Sequence, residues 1–507
     1  MQFKRYDTKL FFLAILIGVI TAGVCLPFRF VLSEIGHLRE WYFQSKQPWY
    51  IQVAIPIAIY ILMLLVHLMV RKFPLSQGSG MPQTKALLNG RLQYNTPWQS
   101  FFVKFFGGIM SIGSGLSLGR EGSSVQMGSL VGDWITKIFH VSTGRRKHLI
   151  AAGAGAGISA AFTAPLASSI LILESLEKFY MPFTAITTLL AGLAAGVLAI
   201  FFFPNDIYHS IMVKAPDLNL LTLLMVYAAM ATFFSLFGKL FSFLLIRGRE
   251  YYMKVKMKPF IKIFFVAGVT YLIGLYFPTL VGGDQGFLIS ESNSTQTSIF
   301  VLLGVILLIT SFTILSNSVQ FPGGIFLPMM TVGGLSGKFF CLILIELDIV
   351  TISSIGYFVL IGMSAGFISV FRTPLTGFIL ISEMTGHYEL FFPTLAVGIL
   401  TYYFTELLKV EPMDDILYRL MLQNISGDYP KRMIVNLDVE ENSYLDGKTP
   451  ATLQLPSRCI IVALYRDNSV YRFVEGVSIK PGDQLDIEID SQDLEKIYQP
   501  LASMAFS

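Results

Sequence analysis

Long apolar runs recur along the chain, from Leu10 to Phe28, Ile51 to Val70, Phe101 to Ile112, Leu220 to Leu245, Ile299 to Leu315 and Phe392 to Phe404, with polar residues gathered between them. A helix needs about 20 apolar residues to cross the hydrocarbon core of a bilayer. Several of these runs are shorter or are broken by Gly and Pro. That pattern predicts tilted, broken or re-entrant helices whose interrupted backbone is shielded by other helices. The first run is longer than the apolar segment of a secretory leader and has no small-residue cleavage site after it, so it reads as a retained helix. Near the end of the chain the period changes. Cys459 to Tyr465 alternates, Asp467-Asn468 supplies a turn, Val470 to Val474 and Leu485 to Asp490 are further short period-two runs, and Asp493 to Leu501 reads as helical. The expected architecture is an all-α polytopic membrane body over residues 1–425, followed by a small soluble α+β domain over 431–507.

The membrane body repeats itself. Gly153, Ala156, Gly157, Phe162, Pro165, Leu166, Ile170, Leu171, Ile172 and Glu174 recur 209 residues later as Gly362, Ala365, Gly366, Phe371, Pro374, Leu375, Ile379, Leu380, Ile381 and Glu383. At an offset of 205, Gly119, Gly128 and Gly132 recur as Gly324, Gly333 and Gly337. Two halves of common origin, about 1–215 and 216–425, are therefore expected. In transporters such halves commonly have inverted topology and meet at a midplane site built from broken helices.

Composition agrees with this picture. Of 507 residues, 53% are hydrophobic and 14% charged, against about a quarter charged in an ordinary soluble domain; the mean hydropathy is +0.62. The formal charge of +4 is unevenly spread, because from Asp428 onward 13 acids face 8 bases, leaving a basic body and an acidic tail. Basic clusters at Lys4-Arg5, Arg71-Lys72, Arg145 to Lys147, Arg247 to Arg249 and Lys254 to Lys262 mark expected cytoplasmic ends, and place the N-terminus and the tail domain inside. Cys25, Cys341 and Cys459 are too far apart in sequence to suggest a metal or redox motif. Neither a metal, a cofactor nor a nucleic-acid partner is called for.

Three Gly-rich strings lie where a turn meets an apolar helical stretch: Gly78-Ser79-Gly80-Met81-Pro82, Gly119-Arg120-Glu121-Gly122-Ser123 and Gly323-Gly324-Ile325-Phe326-Leu327-Pro328. The start of a helix presents unpaired N–H groups and the positive end of the helix dipole, which together favour an anion. Ser79 adds a hydroxyl there, although an N-cap is the ordinary use of such a serine. Glu121 is a carboxylate in an apolar, Gly-rich membrane segment, where ionisable groups mark ion or proton paths. It could gate an anion path by competing for the same N–H donors, and its protonation would then release the site. Glu174 and Glu383, related by the repeat, follow long apolar runs and read as helix-end residues facing the cytoplasm, Glu383 above all.

These strings, with the segment Gly153 to Glu174 and in this order, resemble the CLC family of chloride channels and proton-coupled chloride transporters. The resemblance covers about residues 10–420. It implies a CLC-type fold of two inverted repeats, chloride as the bound substrate ion, and a homodimer. Residue by residue it implies that Ser79, Gly80, Ile325 and Phe326 bind the anion and that Glu121 is the outer gate and proton carrier. Three positions depart from the family pattern. Ser123 stands where proline is common, Ser175 where the transporter subgroup has an internal proton glutamate, and Asp414 where a central tyrosine is expected. Glu174 is then the nearest candidate for a proton relay, and Tyr418, a turn beyond Asp414, the candidate inner gate. The tail resembles the TrkA-C domain, which implies a regulatory module able to bind a small ligand.

Secondary active exchange of chloride for protons is the expected function, in a multi-pass protein of a bacterial cell membrane. A passive voltage- or proton-gated chloride channel is the alternative, favoured by Ser175. A membrane-embedded enzyme would need a catalytic constellation. The six histidines form no HExxH, and the one Gly-x-Ser-x-Gly string, around Ser117, has no strand-turn-helix setting. Thr331-Val332-Gly333-Gly334 lacks the aromatic residue of a potassium filter.

Overall fold

The computed structural model describes residues 8–44, 48–92, 94, 96–141, 143–177, 182–204, 211–283, 286–292, 294, 297–424, 432–439, 443–453, 455, 459–466, 469–472, 476–490 and 503–504. Among the described residues, seventeen α-helices run in the order α1 (Thr8–Gln44), α2 (Trp49–Lys72), α3 (Met81–Leu88), α4 (Pro97–Gly113), α5 (Glu121–Ile138), α6 (Thr143–Phe162), α7 (Pro165–Leu171), α8 (Pro182–Phe202) and α9 (Leu220–Lys254). They continue as α10 (Pro259–Tyr276), α11 (Gly286–Ser292), α12 (Ile299–Ser318), α13 (Phe326–Glu346), α14 (Ile355–Phe371), α15 (Pro374–Thr385), α16 (Phe391–Leu407) and α17 (Met413–Asn424). The α-helix of α7 passes directly into a π-helical turn over Ile172–Glu177. Two compact units result: Met1–Thr84 with Thr96–Phe139 and His148–Leu417, and Lys85–Asn95 with His140–Lys147 and Tyr418–Ser507.

Nine helical segments among the described residues are long and apolar enough to cross a membrane. With 37 residues α1 is about 55 Å long, well beyond the roughly 30 Å of a hydrocarbon core, which calls for a tilt. Helices α2, α8, α9 and α12 turn large apolar side chains such as Trp49, Phe201, Leu220 and Phe300 outward, as helices facing lipid do. By contrast every residue of α14 is buried, an all-round apolar helix at the centre of the body.

The repeat read from the sequence is a repeat of packing. A methyl group added at Gly333 would lie 2.7 Å from the Gly362 carbonyl, and one added at Gly362 would lie 2.6 Å from that of Gly333, so α13 and α14 touch backbone to backbone. In the first half, Gly128 and Gly153 bring α5 and α6 together by the same reciprocal contact. Both halves then break the chain in the same way. Thr163 (φ 59°) and Arg372 (φ 58°) are left-handed, and Pro165 and Pro374 open the next helix. Proline suits the first helical turn because its missing N–H has no partner to lose there.

The tail forms a four-stranded antiparallel sheet in the order β1-β4-β2-β3, from β1 (Arg432–Asp438), β2 (Ile460–Arg466), β3 (Ser469–Arg472) and β4 (Gln484–Asp490). The last three match the alternating runs of the sequence. The first was not anticipated, because Met433-Ile434-Val435 is continuously apolar and does not alternate. Leu437, Val439, Leu445, Leu464, Ile479, Leu485 and Ile487 form its core. Arg466 grips the buried Asp483 through Nε at 2.7 Å and Nη2 at 2.6 Å. The expected turn at Asp467-Asn468 and the helix from Asp493 to Leu501 lie outside the described residues.

Candidate anion site

The three Gly-rich strings converge within the membrane body. Gly119 and Gly324, equivalent in the repeat, exchange both backbone hydrogen bonds, with N···O distances of 2.8 and 2.7 Å. This isolated antiparallel bridge lies between the starts of α5 and α13. The first string is tied to the third: the Gly78 amide donates to the Gln320 carbonyl at 3.0 Å, and the Gly323 amide to that of Gly78 at 3.1 Å. It also packs on the second, since a methyl group at Gly80 would meet the Gly122 carbonyl at 2.6 Å. Only glycine allows such an approach.

Ser79, Gly80, Glu121, Ile325 and Phe326 are thus brought together by three helix starts. Ser79 is nearly buried, and its Oγ accepts the Met81 amide at a long 3.4 Å, one residue ahead of the Gly80 carbonyl that opens α3. Ile325 caps α13 and Phe326 is its first residue, with the Phe326 ring set edge-on to Phe367 and Phe371. Glu121 has no exposed surface. Its carboxylate lies over Gly119 and Gly324, and Oε1 accepts the Leu327 amide at 3.1 Å. The carboxylate therefore occupies an open amide in the first turn of α13.

The sequence reading overlooked a lysine. Lys104 on α4 is fully buried, and its Nζ donates to the carbonyls of Ser76 at 3.2 Å and Gly78 at 2.6 Å, holding the Ser79 loop from behind. A lone lysine inside the apolar run from Phe101 to Ile112 was the available signal.

Glu174 and Glu383 do not end in solvent as helix-end residues. The Glu174 carboxylate accepts the Leu375 amide at 3.0 Å and the Thr376 amide and hydroxyl at 2.8 and 2.7 Å, at the start of α15. Glu383 does the same for α7, accepting the amides of Leu166 at 3.0 Å and Ala167 at 2.8 Å. The physical cause is the one invoked for the anion site: the open amides of a helix start draw the nearest carboxylate. Ser175 donates to Asp414 Oδ2 at 2.7 Å. Tyr418 belongs to the second compact unit, where the Nζ of Lys85 and the guanidinium of Arg91 lie 5.7 and 6.0 Å from its ring. Ser117, the centre of the Gly-x-Ser-x-Gly string, is buried and bonded to Thr313 and Ser316, a packing role.

The family model for voltage-gated chloride channels matches residues 62–406. The chain is a member of the CLC family. A TrkA-C domain model matches residues 434–502. Among curated CLC relatives, the H(+)/Cl(−) exchange transporter ClcA of Vibrio cholerae serotype O1 is 31% identical over 443 residues, which span 83% of this chain and 92% of the relative. The ClcA of Klebsiella pneumoniae subsp. pneumoniae is 30% identical over 406 residues, 78% of this chain and 84% of its own. Solved CLC structures share the fold. A slow cyanobacterial Cl−/H+ antiporter superposes with a TM-score of 0.75 at 24% identity, over 82% of this chain and 99% of that one. A CLC-type fluoride/proton antiporter gives 0.65 at 20% identity, over 78% and 95%. This CLC protein is a multi-pass membrane protein with a TrkA-C tail.

Proposed function

We propose that the protein exchanges chloride, or a similar small anion, for protons across a bacterial cell membrane. The observation that supports this most is the Glu121 carboxylate on the Leu327 amide. A carboxylate and a halide compete for the same N–H donors, so the anion enters when Glu121 leaves, and Glu121 leaves when it takes up a proton. In this reading Ser79 Oγ and the backbone at Gly80, Ile325 and Phe326 line the anion's place. Neutral donors hold an anion without the tight binding of a full positive charge, which would slow its release. Curated relatives named as H(+)/Cl(−) exchangers support the same reading.

The roles of the remaining residues follow from their partners. Glu174 is an anchor for α15 in this scheme and not a relay, because its carboxylate is taken up by donors of α15. Tyr418 as inner gate rests on the family resemblance alone. The cycle needs no cofactor. The protein works as a homodimer with its N-terminus and tail on the cytoplasmic side, the tail binding a small regulatory ligand.

Flux of chloride and protons followed together in proteoliposomes tests the proposal. A chloride gradient should drive protons uphill in the wild type, and Glu121→Gln should abolish proton movement while chloride still passes. Uphill proton transport that survives in Glu121→Gln removes Glu121 from the mechanism. Chloride flux that never drives protons in the wild type establishes the channel.

A further inference from the structure

A proton that reaches the buried Glu121 is handed on by water or by protonatable side chains, since a bare proton does not cross apolar protein, and buried carboxylates are the candidates among the side chains. Among the described residues of the membrane body three acids are buried: Glu121, Asp133 at 2% exposure and Asp414 at 4%. Asp133 already has a charged partner, the Nζ of Lys137 at 2.8 Å. Glu174 is partly exposed and held by the start of α15. Asp414 remains.

Its surroundings suit the task. Asp414 sits in the first turn of α17 and accepts the hydroxyl of Ser175, itself buried, at 2.7 Å. A hydroxyl can donate to a carboxylate and accept from a carboxylic acid. This bond therefore survives a change of protonation at Asp414, as a bond to lysine would not. The backbone delivers Ser175 by an irregularity. It lies in the π-helical turn Ile172–Glu177, whereas the repeat-related helix α15 runs as a regular α-helix past Ile381 to Thr385. A π-turn widens the helix by one residue, and such turns occur often at functional sites. Here it lets adjacent Glu174 and Ser175 serve different partners, α15 and α17. The other charged groups on these two turns are Asp415 beside Asp414 and Glu177 beyond Ser175. Both positions of the bonded pair are ones where the sequence departs from the family pattern.

We infer that Asp414, oriented by Ser175, is the inner proton-transfer carboxylate of this exchanger. The inference rests on the antiport reading given above. Asp414 takes a proton from hydronium on the inner side, leaving water, and becomes a carboxylic acid. It then returns the proton to a water on the way to Glu121, whose carboxylate becomes the acid. One proton moves and nothing is oxidised or reduced.

The test measures protons moved per chloride in proteoliposomes for the wild type, for Asp414→Asn, and for the exchanged pair Ser175→Asp with Asp414→Ser. Asp414→Asn should lower the proton-to-chloride ratio about tenfold or more while chloride still moves, a loss on the scale of removing an acid–base group. The exchanged pair keeps one carboxylate and one hydroxyl in contact and should regain most of the ratio. A wild-type ratio in Asp414→Asn overturns the inference and leaves antiport standing. A wild type that drives no protons overturns antiport and the inference with it. If Asp414→Asn passes no chloride, the exchanged pair decides: coupled flux supports the inference, and uncoupled chloride flux or none assigns Asp414 to another role and overturns it.

Discussion

At the residue scale, the site depends on donors and on the absence of side chains. Ser79 supplies a hydroxyl next to helix-start amides, so Ser79→Ala should weaken chloride binding by about 1.5 to 3 kcal/mol, the worth of a hydrogen bond to a charged group. Calorimetry on the detergent-solubilised protein reads this directly, and unchanged affinities for chloride, bromide and nitrate would count against the assignment. Gly122 makes the opposite contribution. Its missing methyl leaves room for the Ser79 carbonyl, so Gly122→Ala should force the two helix starts apart and cost about 1 to 3 kcal/mol as overpacking does. A lowered melting temperature with loss of anion binding is the expected result. The three strings themselves were legible in the sequence because each combines glycine with the start of an apolar run. Lys104 was not, since its partners are backbone carbonyls of a loop distant in sequence, and no spacing encodes them.

At the scale of elements, the reciprocal clasp between α7 and α15 is the feature that sequence reading placed wrongly. The repeat showed that Glu174 and Glu383 are equivalent, but a single sequence does not show that each equivalent residue reaches the other's helix. Their position after long apolar runs suggested a solvent-facing end, whereas the amides at the start of the opposite helix offer a carboxylate more than water does. Glu174→Gln and Glu383→Gln should each destabilise the protein by about 1 to 3 kcal/mol through loss of charge-assisted hydrogen bonds. Because both clasps hold the same pair of helices, the double substitution should cost less than the two losses added together. Thermal unfolding in detergent of both single variants and the double variant checks this, and strict additivity would show the clasps to be independent. Strand β1 escaped notice for a different reason. An unbroken apolar stretch reads equally as a buried strand or a helical turn, and only its pairing with β4 decides between them.

The whole molecule joins a membrane body to a tail with its own core. The tail's buried residues come from its own strands and loops, and Asp483 is paired within it by Arg466. Removing residues 431–507 should therefore leave chloride and proton flux in place and abolish only regulation by ligand. Protein that assembles in the membrane yet loses all flux would make the tail part of the transport machinery. The two-part organisation was legible because charge density and hydrophobic period change together near residue 430. The inverted halves were legible because glycines at helix contacts cannot be replaced without moving backbone, so their spacing survives where other residues have diverged. The bridge between Gly119 and Gly324 has one more consequence. Each glycine spends its amide and its carbonyl on the other, so the two halves are buttoned together beside the Glu121 carboxylate. A passage fastened at its middle works less like a pair of doors than like a fixed sill with a single latch. In the proposed cycle the Glu121 side chain would be that latch, and the rhythm of exchange would be set by how often a proton lifts it.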